Sequence, residues 1–198
     1  TLMLAGMKTF TIDKLSSWLG HLDRRIRKEA QFELAHRKAI DRLALRATHP
    51  GRSLPRIHAI WGLGQIARNA NDKSEQDVVK IRATLIELLG DSDDEIRAQV
   101  CRTLTDNWPF NSPKLDYLVH RRLNLKRKVN EQPTLPRSAY TNLHTPEAEK
   151  LVELLNDDSL RVRSFAATAL GRTRTGFAIP ALLQLLDKNS ASDPVIRH

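Results

Sequence analysis

Three segments of this chain align with one another without a gap, and that self-similarity restricts the fold more than any other feature. They begin at Leu15, Leu85 and Leu151 and share the pattern L-x-x-[LW]-L, a turn-forming cluster, then [IV]-R-x-x-[AV]-x-x-x-L. Leu19 and Ile26, Leu89 and Ile96, and Leu155 and Val162 are each seven residues apart. The second half of the unit returns at Arg56, Ala59, Leu63 and Gly64, with the offsets of Arg163, Ala166, Leu170 and Gly171. Arginines 27, 56, 97, 137, 163 and 197 mark successive copies, stepping by 29, 41, 40, 26 and 34 residues.

Each unit reads as two helices. The first carries Leu-x-x-Leu-Leu, an apolar stripe of helical period, and an Asp/Ser/Asn cluster such as Asp91–Asp94 ends it and caps the second. The second has its stripe at Ile26/Ala30/Leu34, Ile96/Val100/Leu104 and Val162/Ala166/Leu170, with a small residue in the middle for close helix approach. Thr145-Pro146 and Ser112-Pro113 look like helix starts, where the missing proline N–H costs nothing. No alternating strand pattern appears. The expected fold is all-α, an α-α superhelix of about five helix pairs plus a truncated sixth. Residues 1–10 read as an N-terminal extension and 11–198 as one solenoid, irregular at 105–145, with a divergent fourth pair over 113–126 and about 135–144. The face of Ile179–Leu186 is expected to be partly bare, leaving the fragment prone to self-association.

The recurring Asp-x-x-x-Arg (Asp23…Arg27, Asp93…Arg97, Asp193…Arg197) resembles HEAT repeats, including those related to phycobilisome lyases. Trp18-Leu-Gly-His-Leu-Asp-Arg-Arg-Ile-Arg-Lys-Glu-Ala, followed by Leu54-Pro-Arg-Ile-His-Ala-Ile-Trp-Gly-Leu-Gly, looks like the HEAT section of large planctomycete-type secreted proteins. Those place a sugar-dehydrogenase-like propeller before the repeats and a c-type cytochrome domain after them. The resemblance implies a secreted or periplasmic compartment and a scaffold inside a multidomain protein. The neighbours' chemistry does not transfer, because this sequence holds no haem-attachment motif.

The repeated arginines are candidates for phosphate contact, but a solenoid offers a structural role: each guanidinium bonds a carboxylate or helix-end carbonyl of the next repeat, making a ladder of Asp23, Arg27, Arg56, Asp93, Arg97 and Arg163. The aromatic residues point to a partner. With Ile26 at 0° on a helical wheel, Phe32 falls near 240°, Trp61 takes the same place in the next copy, and Ile57 lies at about 200°. The helix of Ile57, His58 and Trp61 is therefore apolar nearly all round and needs burial on both sides. Ala98, Arg102, Ser164 and Thr168 hold these positions later, which suits solvent. Either these side chains only fill space between repeats, or Phe32, Ile57, His58, Trp61 and Arg102 form a docking patch on the second-helix face.

The chain holds 32 Lys+Arg against 23 Asp+Glu, a net +9. Residues 114–128 carry six cations and one acid, five of those charges, with only Tyr117 to stack on a base. That reads as a solvated face, and a basic HEAT-like nucleic-acid or DNA-repair module is the alternative reading. Gly62-Leu-Gly64 follows no strand and reads as close packing. Cys101, the single cysteine, reads as an inert small hydrophobe, and Trp108 and Phe110 as plugs under the irregular repeat. No catalytic constellation, metal-ligand spacing or cofactor fingerprint stands out, and no stretch is long and apolar enough to span a membrane. The expected partner is protein, either flanking domains of the same chain or another molecule.

Overall fold

The computed structural model describes residues 6–69, 75–107, 145–173 and 175–189. Among them are nine α-helices: α1 (Ile12–Trp18), α2 (Arg24–His36), α3 (Ile40–Thr48), α4 (Ser53–Arg68), α5 (Glu75–Leu88), α6 (Asp94–Asn107), α7 (Pro146–Glu153), α8 (Leu160–Thr173) and α9 (Ile179–Asn189). No strand occurs among the described residues. The expected fourth pair, with Trp108, Phe110, Arg137 and the basic run 114–128, lies outside them, as does Arg197.

The helices form two layers. α1, α3, α5 and α7 touch in succession, α2, α4, α6 and α8 do the same, and each first helix packs on its own second helix. The pairs α5/α6 and α7/α8 are in direct contact, although residues 108–144 separate them along the chain. The core runs between the layers as one seam. Leu85, Leu88 and Leu89 are buried in it, and so are Ile26/Ala30/Leu34, Ile96/Val100/Leu104 and Val162/Ala166/Leu170. Neither layer can hide its apolar stripe alone, so stacking supplies the burial that makes these short helices stable.

Local chemistry places the ends. The Asp23 carboxylate accepts from the Arg25 N–H at 2.8 Å, and Asp93 accepts from Glu95 N–H at 2.9 Å. Thr145 Oγ1 caps α7, with Pro146 in its first turn. The residues before α1 are tied to the first repeat: Arg37 donates to the carbonyls of Phe10 (2.7 Å), Lys8 (2.8 Å) and Met7 (3.2 Å), and the Phe10 ring stands edge-on to Trp18 at 4.7 Å. At the other end Ile179 and Leu183, each 56% exposed, and Leu186, 37% exposed, form a bare stripe on α9.

Gly62 lies at a close approach between the layers. A Cβ there would lie 3.2 Å from both terminal methyls of Leu43, which is fully buried on α3. Gly171, also helical, has nothing within 4 Å of such a Cβ. Alanine should therefore raise stability at Gly171 by about 0.5–1 kcal/mol, as propensity alone dictates. At Gly62 the same change should lower it by about 1 kcal/mol, because Leu43 must shift within a filled core. Paired urea melts of the two variants check this, and equal gains at both sites would refute the close-packing role.

Candidate interaction site on the second-helix face

Arg27, Arg97 and Arg163 occupy equivalent rungs. In each, Nη1 donates to the carbonyls six and five residues earlier: His21 and Leu22 (2.7 and 2.9 Å), Asp91 and Ser92 (2.7 and 3.2 Å), and Asp157 and Asp158 (2.6 and 3.2 Å). Those carbonyls lie where the first helix of a pair has ended and the second has not begun, so no helical N–H serves them. In Arg27 and Arg97 the other edge of the guanidinium reaches the next unit, whereas Arg163 Nε is buried with no hydrogen-bond partner. Arg97 donates Nε and Nη2 to the two oxygens of Asp157, both at 2.8 Å. Arg56 grips Asp91 in the same two-pronged way and donates Nε to Ala47 O at 2.8 Å. Burial pushes the Asp91 and Asp157 carboxyls up, but the arginine hydrogen bonds and charges outweigh it and hold both below the usual range.

Asp23 and Asp93 do something else. Neither carboxylate meets the arginine four residues on. Asp23 caps α2 and bonds the Arg25 side chain, which holds its carboxyl down at about 2, and Asp93 caps α6 and accepts from Ser53 Oγ. The Asp-x-x-x-Arg spacing thus joins two separate tasks, a cap and a loop clasp. The carboxylates that receive the arginines, Asp91 and Asp157, belong to the clusters expected to end the first helix and cap the second. Their signal was present: each stands two residues after the aligned Leu89 or Leu155, where the first copy has His21.

Arg27 meets no carboxylate in the next unit. Its Nε–H donates instead to His58 Nε2 at 3.2 Å, and His58 Nδ1 lies 2.8 Å from Gln31 Oε1. One ring nitrogen must accept and the other donate, so the ring is neutral with its proton on Nδ1. Burial, and then the Arg27 charge, push its pKa down to about 4. The ring stands edge-on to Trp61 at 5.1 Å. Trp61 Nε1–H donates to Gln99 Oε1 (3.0 Å), Gln99 donates to Glu95 (2.8 Å), and Glu95 pairs with Arg161, whose guanidinium covers the Phe165 ring. A polar chain therefore crosses α4, α6 and α8 on one face.

Beside that chain lies an open groove of about 490 Å³. Phe32 of α2, Trp61 of α4, and Arg102 and Thr103 of α6 line it, with Arg68 and Asn69 at the end of α4. Phe32 is 40% exposed, with the Lys28 ammonium 5.3 Å from its ring centre, and Trp61 is half-buried. Of the residues expected in a docking patch, Phe32, Trp61 and Arg102 meet here. Ile57 and His58 lie beneath, at 9% and 5% exposure, where a partner does not reach them. Ala98, expected at solvent, is fully buried, because α4 and α8 close over both flanks of α6. Cys101 is buried as well, and burial pushes its thiol up to about 12, outside any nucleophilic range.

No family model and no curated protein matches the chain. Among solved structures, a crystal structure of an engineered protein aligns with a TM-score of 0.52 at 20% identity, over 93% of this chain and 74% of that one. The fold is a HEAT-like α-solenoid. A computationally designed armadillo repeat protein for modular peptide recognition aligns at 0.46, with 17% identity over 93% and 77% of the two chains. A phycocyanin lyase complex from Nostoc sp. aligns at 0.35, with 17% identity over 96% and 74%. At 20% identity the likeness to the engineered protein is one of fold.

Among the described residues no cluster of three His, Cys, Asp or Glu side chains is placed to hold a metal ion. No helix there is long and apolar enough to cross a membrane.

Proposed function

We propose that this chain is a non-catalytic helical-repeat interaction segment that docks a protein partner on its second-helix face. The observation that carries the reading is the groove: an exposed phenylalanine and a half-buried tryptophan on adjacent repeats, joined by a trough that no described side chain fills. The arginine rungs make the support stiff, since Arg27, Arg56 and Arg97 each couple one pair to the next. A stiff rod that presents a partly apolar trough suits recognition more than chemistry. The resemblance to the HEAT section of secreted dehydrogenase and cytochrome proteins supports flanking domains of the same parent as the partner, and with them a secreted or periplasmic setting.

A photo-crosslinking residue installed at Phe32, in the chain as its parent carries it, should give a discrete adduct with a flanking domain or a second protein. The same residue at Leu45, 56% exposed on the other layer, should give none. Equal labelling at both positions, or labelling at neither, would count against docking on this face.

A further inference from the structure

We infer that the α9 end of the solenoid is a second docking surface, apart from the groove, and that it takes an amphipathic helix of a partner protein preceded by an aspartate. The helix lies along Ile179, Leu183 and Leu186, and the aspartate meets the outer edge of Arg163. The earlier units show what covers such a surface. Leu186 ends the Leu-x-x-Leu-Leu frame of α9, as Leu19, Leu89 and Leu155 end the frames before it. Those three are 0%, 2% and 2% exposed, with the second helix of each pair packed on the first, whereas Leu186 is 37% exposed. Leu183 and Ile179, about one and two turns earlier, are 56% exposed, and all three fall within about 60° on a helical wheel. Leu182 and Leu185 beside them already pack on the core, so α9 is seated and the stripe is surface left over. The opposite end of the rod is closed: Arg37 ties three carbonyls of residues 7–10, and Phe10 stands against Trp18. A terminal repeat made for water has a polar outer face, and an apolar stripe of this kind marks a joint.

Arg163 sets the chemistry of what precedes the helix. It clasps the carbonyls of Asp157 and Asp158 as Arg97 clasps those of Asp91 and Ser92. Its Nε edge is therefore turned the same way, toward the unit after its own. Arg97 fills that edge with the carboxylate of Asp157, six residues before the arginine of the following second helix. Arg163 Nε is buried and has no acceptor. A guanidinium N–H left dry and unpaired is unfavourable until an acceptor arrives, and a carboxylate makes the strongest bond with it. The occupant is thus an aspartate followed by a helix whose apolar residues recur every four positions, the order found in α6 and α8.

A labelled peptide of residues 157–173 holds that order in Asp157, Val162, Ala166 and Leu170, and its anisotropy titration against the full chain tests the assignment. Saturable binding is expected, weakened about tenfold or more by Leu183→Asp in the protein. Asp157→Asn in the peptide should weaken binding to the wild type by about fivefold, and binding to Arg163→Gln by under about twofold. Arg163→Gln also loses a loop clasp, so circular dichroism checks its fold, and the peptide change alone decides the charge if it does not fold. No saturable binding, or binding indifferent to Leu183→Asp, overturns the inference. Binding that Leu183→Asp abolishes and Asp157→Asn leaves unchanged overturns the aspartate while apolar docking stands. A dimer of the chain that Leu183→Asp dissolves makes a second copy the occupant and overturns the partner helix. A tenfold gain in peptide affinity on removing residues 190–198 overturns it in favour of the chain's own segment. Each result is independent of the Phe32 crosslink, which tests the groove.

Discussion

Replacing Arg97 with alanine lowers the unfolding free energy by about 3–5 kcal/mol, the range for removing one partner of a buried ion pair. Its side chain is 16% exposed and that of Asp157 only 7%. The change strands the Asp157 carboxylate, which receives two hydrogen bonds from Arg97, and frees the carbonyls of Asp91 and Ser92. Lysine should recover only part of the loss, because a compact ammonium cannot reach two carbonyls and two carboxylate oxygens together. The surface pair Arg161–Glu95, with side chains 55% and 35% exposed, provides the control, and Arg161→Ala should lose under about 1 kcal/mol. Guanidinium titrations with an unchanged m-value check the set. Because Asp91 serves Arg56 through its side chain and Arg97 through its carbonyl, Arg56→Ala and Arg97→Ala combined should depart from additivity. Strict additivity would mean that the rungs act alone.

The second large effect is acid sensitivity seated at His58. Its pKa is about 4 in the fold against 6.5 in an exposed chain. Between those values the unfolded state binds more protons than the folded one, so stability rises with pH across the window. The contribution is fully present above about pH 6.5 and fades as pH falls through 4. Its ceiling is about 3 kcal/mol, reduced by whatever solvent screening reaches the ring. Protonation places a cation against Arg27 and removes the Nε2 lone pair that Arg27 uses. Gln31, which faces Nδ1, accepts from either form of the ring. Glutamine at position 58 should flatten the Tm profile between pH 6.5 and 4, while the wild type falls. A wild-type profile level across that range would refute the assignment. Below it the carboxylates of Asp91 and Asp157, held low by their arginines, begin to protonate and the rungs open in turn.

These effects arise from residues of unequal legibility. The leucine triplets and the [IV]-R-x-x-[AV]-x-x-x-L frames announce paired helices, because helical period and loop composition are local properties of the chain. The arginines were visible as rungs for the same reason. Which carboxylate each receives was not visible, since Asp157 lies 60 residues beyond Arg97 and meets it only once two pairs have stacked. His58 illustrates the limit well. On a helical wheel it sits beside Trp61 and reads as part of a docking face, yet in the fold it is a neutral acceptor standing where the later rungs have an aspartate.

Ala98 and Ile57 share that lesson, because a flank position is wet or dry according to how closely the neighbouring helix approaches, and no wheel contains the neighbour. By itself, then, the order of amino acids determined the all-helical character, the pairing of helices and the arginine at each step, all consequences of spacing within a few turns. Only the stacked structure decided which side chains the groove exposes, that α5/α6 abuts α7/α8 directly, and that Arg163 Nε is left dry and unpaired. Those outcomes depend on distances between segments far apart along the chain, and burial and charge pairing are properties of such distances.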